Sequence, residues 1–405
     1  MRTSLGIWPP LPLSIRHDTW DPDRENENTI AALKLRDRVS EISINCLRSS
    51  VLERLTAAML EPFPALASLY LGYGGNIAPV LPEAILGGST PSLQTIVLAG
   101  IAFPALPKLL LSATRLVSIR LWRIPITGYI SPEAMATCLV ALPDLEDLRI
   151  EFQACPDHTS SSSSTRVILP SLTSFHFKGV SKYLENLAAR IDAPIIQTLS
   201  ITFSDVVVGI PQFYRFLSYA ERPQPPNQVM VEFDYWRVDL KFIPSDNFEL
   251  AIRCDNLAGQ VSSMAAVCRG LSPLLSRVEC LNLRGKRLPS DPTWQDYTYP
   301  TNLQWLGLFH PFITVESLYV SKKLEPFIAS ALEELTGEHA TTVFPKLHTI
   351  FLEELQPYGL VREAIEAFVA ARGLSDCPMT LQQRLAPVFD PKPDITLSPC
   401  SWPAW

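Results

Sequence analysis

The chain has 405 residues, 47% of them hydrophobic and 19% charged, which excludes a mainly disordered polymer and exceeds the usual size of one globular core. Its net charge of −7, with 34 basic and 41 acidic residues, comes without any Lys/Arg cluster dense enough to neutralise a row of phosphates, so nucleic acid is not an expected partner. Eight scattered cysteines (Cys46, Cys138, Cys155, Cys254, Cys268, Cys280, Cys377 and Cys400) form no Cys-x-x-Cys pair, which points to free thiols in a reducing compartment rather than zinc or disulfides.

At the N-terminus, "MRTSLGIWPPLPLSI" has prolines at Pro9, Pro10 and Pro12, where a secretory signal needs a helical apolar region. Without a run of 18 apolar residues, no membrane association is expected, and the protein reads as intracellular, cytoplasmic or nuclear. Residues 1–38 read as a lead segment, with "DPDRENEN" (21–28) a charged loop before a first helix in "TIAALKLRD".

One apolar pattern then returns along the chain. It runs Val39-x-x-Ile42-x-Ile44-x-x-Leu47, Leu66-x-x-Leu69-x-Leu71, Leu93-x-x-Ile96-x-Leu98-x-x-Ile101 and Leu116-x-x-Ile119-x-Leu121-x-x-Ile124. It continues through Leu145-x-x-Leu148-x-Ile150, Leu172-x-x-Phe175-x-Phe177-x-x-Val180 and Ile196-x-x-Leu199-x-Ile201. Successive central residues Ile42, Leu69, Ile96, Ile119, Leu148, Phe175 and Leu199 are separated by 27, 27, 23, 29, 27 and 24 positions, the spacing of leucine-rich repeats. Between them lie amphipathic stretches that read as helices, beginning near Ser50, Ala105, Ser131, Ser181 and Pro211. Ser131, Pro132 and Glu133 supply a cap, a first-turn proline and an early acid, all favourable at a helix N-terminus.

The register slips after about residue 204. "QVMVEFDYW" (228–236) and "FELAIRC" (248–254) still alternate like strands, which predicts two degenerate repeats. Later copies are Val278-x-x-Leu281-x-Leu283, Leu303-x-x-Leu306-x-Leu308 and Leu347-x-x-Ile350-x-Leu352-x-x-Leu355, with Val315-x-x-Leu318-x-Val320 read as a hairpin insertion. Two further helices are expected in "KKLEPFIASALEEL" and "VREAIEAFVAARGL", the second closed by Gly373. "HTSSSSST" (158–165) reads as a solvated spacer, and residues 373–405 as a Pro-rich extended tail.

The expected fold is therefore α/β, an irregular leucine-rich-repeat solenoid over 39–372, with a curved, mostly parallel sheet and helices on the convex face. The position that carries Asn in regular repeats is here Leu47, Gly74, Ile101, Ile124, Val180, Lys286 and Leu355, so the turns must satisfy their backbone groups in some other way.

No catalytic or cofactor motif is present: no Gly-x-Ser-x-Gly, no His-Glu-x-x-His, and Gly72-Tyr73-Gly74-Gly75 lacks the lysine and hydroxyl of a phosphate loop. His17, His158, His176, His310, His339 and His348 have no ligand spacing and read as surface or cap residues. No cofactor or metal is expected, and the chain reads as a protein-protein interaction module rather than an enzyme. Period two along a strand places Tyr70, Arg120, Trp122, Arg149, Glu151, His176 and Lys178 outward on the concave sheet, followed by Thr202. This cationic and aromatic set is the candidate protein-binding surface, anchored by Trp122 and Arg149.

"IWPPLPLSI" (7–15), "VLERLTAAMLEPFPALASLYL" (51–71), "LGGSTPSLQTIVLAGIAFPALPKLLLSATRLVSIRLW" (86–122), "GYISPEAMATCLVALPDLEDLRIEF" (128–152) and "FKGVSKYLENLAARIDAPIIQTLSITF" (177–203) resemble the C-terminal repeats of a large fungal family of F-box-like proteins over roughly residues 7–372. The resemblance implies substrate-recognition repeats of a ubiquitin-ligase receptor, in which an F-box docks a Skp-type adaptor. About seven residues precede the match, so the F-box is expected to be missing and adaptor docking with it. The alternatives are a truncated or non-functional family member, or an enzyme of unknown class, which would need clustered, perturbed acids or nucleophiles in one pocket.

Overall fold

The computed structural model describes residues 11–18, 24–153, 166–218, 226–244, 247–288, 299–335, 341–354, 358–374 and 378–383. The serine run at 158–165, Leu355 and the tail from 384 onward lie outside them.

The chain begins with β1 (Leu13–Asp18), α1 (Arg24–Leu33), β2 (Val39–Cys46) and α2 (Ser49–Ala57). Next come β3 (Ser68–Tyr73), β4 (Thr95–Ala99), α3 (Leu106–Ser112), β5 (Ser118–Ile124), α4 (Pro132–Leu139) and β6 (Asp147–Phe152). The middle holds β7 (Val167–Ile168), β8 (Ser174–Gly179), α5 (Ser181–Ala188), β9 (Ile191–Asp192), β10 (Thr198–Phe203) and α6 (Pro211–Ser218). Then follow β11 (Gln228–Asp234), β12 (Arg237–Ile243), β13 (Phe248–Arg253), α7 (Leu257–Gly270), α8 (Ser272–Leu275), β14 (Cys280–Gly285) and α9 (Asn302–Phe309). The last elements are β15 (Ser317–Val320), α10 (Glu325–Glu333), β16 (Thr349–Leu352), α11 (Leu360–Leu374) and β17 (Thr380–Gln383).

The result is a mixed α/β protein built on one 15-stranded sheet, ordered β1-β2-β3-β4-β5-β6-β8-β10-β13-β12-β11-β14-β15-β16-β17. Only β12 runs antiparallel to its neighbours, and β1 and β17 are the edges, so the sheet is open. Strands such as β5, β6 and β10 present an apolar triplet to one side: in β6, Leu148, Ile150 and Phe152 are buried while Asp147, Arg149 and Glu151 are not. Those triplets share one continuous core with helix residues such as Leu109, Leu139, Leu184 and Phe213, so the helices lie on that side. Neighbouring helices also touch in sequence, α3 with α4, α4 with α5 and α5 with α6. Ser131 caps α4 by accepting from the Ala134 amide at 3.2 Å, as its sequence leads one to expect.

In the turns that follow the strands, the backbone closes on itself and on acids. The Gly74 amide donates to the Cys46 carbonyl and that of Gly100 to Trp122. Asp205 accepts from the Ser181 amide at 2.8 Å, and Glu185 from the amides of Gln212 and Phe213.

Several expectations need correction. The sheet starts inside the lead segment, because Leu13 to His17 alternate and Pro12 stands just before β1, where a missing N–H does no harm; Ile15 and His17 face inward. His17 is thus buried and shares a 3.2 Å hydrogen bond with Thr29. Leu303, Leu306 and Leu308 do not form a strand. They belong to α9, whose capping box joins Thr301 and Gln304, and Trp305, Leu308 and Phe309 are its buried face. The segment read as an insertion, Ser317–Val320, is the strand that pairs β14 and β16. The two degenerate repeats are three strands, β11, β12 and β13, laid in reverse order. Gly373 lies within α11 rather than after it, and the region read as tail contributes β17, parallel to β16.

Candidate functional site

The side of the sheet away from the helices carries the candidate residues, and strand register decides which of them meet. One row of cross-strand neighbours runs Tyr70, Val97, Arg120, Arg149, His176, Ser200 and Glu249. Two positions further along, Glu151, Lys178 and Thr202 form the next row, and Trp122 enters it from β5 beside Ala99. Two positions back lies a row rich in hydroxyls, Ser68, Thr95, Ser118, Asp147, Ser174 and Thr198.

Trp122 owes its place to a β-bulge. Leu121 pairs with Ile150 and Ile124 with Phe152, so Trp122 and Arg123 together oppose Glu151. Arg123 takes a φ of 49°, the left-handed conformation that non-glycine residues adopt at a cost on the order of 1 kcal/mol or more. The extra residue turns the indole so that the Arg149 guanidinium stacks on it, 4.2 Å from the ring centroid. Gly100 completes the support: its φ of 68° lets its amide donate to the Trp122 carbonyl at 2.8 Å. A Cβ there would come within 2.5 Å of the Tyr73 carbonyl oxygen.

Of the three cations in the patch, two have acids beside them. Arg120 donates to Asp147 at 2.6 Å, which also accepts from Ser118 at 3.0 Å, and Lys178 pairs with Glu151. Arg149 makes no hydrogen bond or ion pair among the described residues; its contact is the indole. Burial draws its guanidinium below the ordinary value, Arg120 adds to this, and Glu151 and Asp147 oppose it. Burial and the Arg149 charge also lower the His176 imidazole, so it is neutral at pH 7.

Six of the seven sequence-predicted residues thus come together. Tyr70 is separate, with Val97 between it and Arg120 and its phenol folded over Gly72, where a Cβ would meet Oη at 2.5 Å. Sequence reasoning missed Asp147, which stands on the same face of β6 two residues before Arg149. It also missed the polar field of the reversed strands, where Lys241 pairs with Glu249 at 3.2 Å and Arg237 with the buried Asp239 at 2.7 Å. Beyond them Tyr319 and Phe351 stack at 4.3 Å. The alternation of "RVDLKFI" (237–243) was the available signal.

Among the described residues, no group of three or more His, Cys, Asp and Glu could hold a metal ion, and no helix is long and apolar enough to cross a membrane. Burial pushes the thiols of Cys138 and Cys280 up to about 11 and that of Cys268 up as well, which leaves them protonated and poorly nucleophilic. A scan against known protein families finds no match, and no curated protein matches the chain.

Proposed function

We propose that this chain is a protein-protein interaction module of leucine-rich-repeat type, with the open sheet face as its binding surface. Its role would be that of the substrate-recognition repeats of an F-box-type ubiquitin-ligase receptor. The observation that carries the reading is the open face itself: the helices cover one side of the sheet, and its other side, from β5 to β10, holds aromatic, arginine and hydroxyl side chains in register and within reach of solvent. Aromatic and arginine side chains dominate the energetics of protein interfaces, and the repeat spacing of 23 to 29 residues from Ile42 to Leu199 supports the repeat assignment. Mixed charge on this face and a net charge of −7 favour a polypeptide over a polyanion.

A photo-crosslinking amino acid placed at Trp122, and separately at the exposed helix position Lys182, tests the reading in cells. Discrete adducts from position 122 and not from 182 are expected; adducts from 182 alone, or equally from both, reject it. Sequencing the 5′ end of the transcript tests the ligase role, which requires an in-frame F-box exon.

A further inference from the structure

We propose that the open face receives an extended acidic segment of a partner protein, with one Asp or Glu carboxylate seated on Arg149. The proposal rests on the interaction-module reading and specifies its ligand. Charge matching is the first argument. Arg120 is engaged by Asp147 and Lys178 by Glu151, while Arg149, between them in the register, has among the described residues only the Trp122 ring. A guanidinium stacked on an indole is held in plane, and its edge N–H groups are suited to a bidentate carboxylate. Its partial burial strengthens any ion pair it forms, because less water screens the pair.

The same neighbours set the charge of the ligand. Asp147 and Glu151 stand two residues either side of Arg149 on β6, roughly 7 Å away along the strand, and both act electrostatically on it. A single negative charge is balanced here; a phosphate dianion would be repelled by the flanking acids. His176, the next residue in the row, is neutral and adds no second cation. Around the seat, Ser68, Thr95, Ser174 and Thr198 line the adjacent row, and their hydroxyls make no side-chain hydrogen bond among the described residues, so they can meet the peptide groups of an extended segment.

The test uses the full chain and random short peptides fixed at one central position as Glu, Asp, Gln or phosphoserine, with binding read by fluorescence polarisation. Arg149→Gln is compared with Ser200→Trp, which obstructs the open face without adding charge, after circular dichroism shows that both variants fold. Selection of central Glu or Asp over Gln, blocked by Ser200→Trp and weakened by about tenfold or more in Arg149→Gln, is the expected result. Binders blocked by Ser200→Trp but indifferent to Arg149→Gln overturn the carboxylate seat and leave the interaction reading standing. Phosphoserine outranking Glu overturns the single-charge seat. No binders, or binders indifferent to Ser200→Trp, overturn both.

Discussion

Asp239 carries a carboxyl group that is 1% exposed and belongs to the side of the sheet that the helices leave open. Burial pushes its pKa up to about 6, against the pull of Arg237, which donates to its Oδ2, and of Lys241. Because the folded value exceeds the unfolded one, the protonated folded form is favoured. The stability this gives is fully present below about pH 4 and is lost as pH rises through about 6. Asp239→Asn should therefore flatten the stability profile across that window and gain on the order of 1–3 kcal/mol over the wild type at pH 7. Urea melts at pH 4 and pH 7 check it, and an equal loss at both would show that the ion pair with Arg237 dominates. Gly100 gives the opposite lesson. Its left-handed φ and the 2.5 Å clash awaiting a Cβ predict that Gly100→Ala destabilises the fold by about 1–3 kcal/mol, measurable in the same melts. Neither residue was singled out by the sequence: an aspartate in an alternating strand looks solvated, and a glycine after a strand looks like any turn.

At the level of elements, what the sequence showed was alternation, and alternation says which residues share a face, not which way a strand runs. Val238, Leu240 and Phe242 are buried and Arg237, Asp239 and Lys241 face the other side in the same pattern as in any parallel strand here. The reversal of β12 is set by Tyr235 and Trp236, the two residues joining it to β11, a connection too short for a parallel crossover. The pairing of Arg120 with Asp147 and the bulge at Trp122 were hidden for the same reason: both depend on register between strands. The error at Leu303 has a different cause, since Leu-x-x-Leu-x-Leu also fits one helical turn and a half. The structure decides it by burial: Leu303 is 76% exposed and Trp305 0%, with the Trp305 ring edge-on to Phe233 at 5.4 Å. Trp305→Ala should cost about 3–5 kcal/mol, while Leu303→Ala should change stability by less than about 0.5 kcal/mol. A strand with Leu303 inward would give the reverse order.

For the whole molecule, sheet order follows chain order from β1 to β10 and again from β14 to β17, so each strand bonds only to units near it in the chain. Such arrays are stabilised by nearest-neighbour contacts and can open from one end without global unfolding. Arg372 offers a way to test this. The side chain, 1% exposed, projects from α11 and donates to the carbonyls of Phe344, Pro345 and Leu347 at 3.0, 3.2 and 3.1 Å, fastening the last helix to the turn that leads into β16. Arg372→Met keeps the apolar stem and removes every donor, leaving buried carbonyls unsatisfied at about 1–3 kcal/mol each. If coupling is local, hydrogen exchange should accelerate in α10, β16 and α11, while β3 to β6 and the Arg149 surface keep their wild-type protection. Equal acceleration from β2 to β16 would mean instead that the reversed strands β11 to β13 weld the two runs into one cooperative unit, and that the open face cannot loosen at one end while holding a ligand at the other.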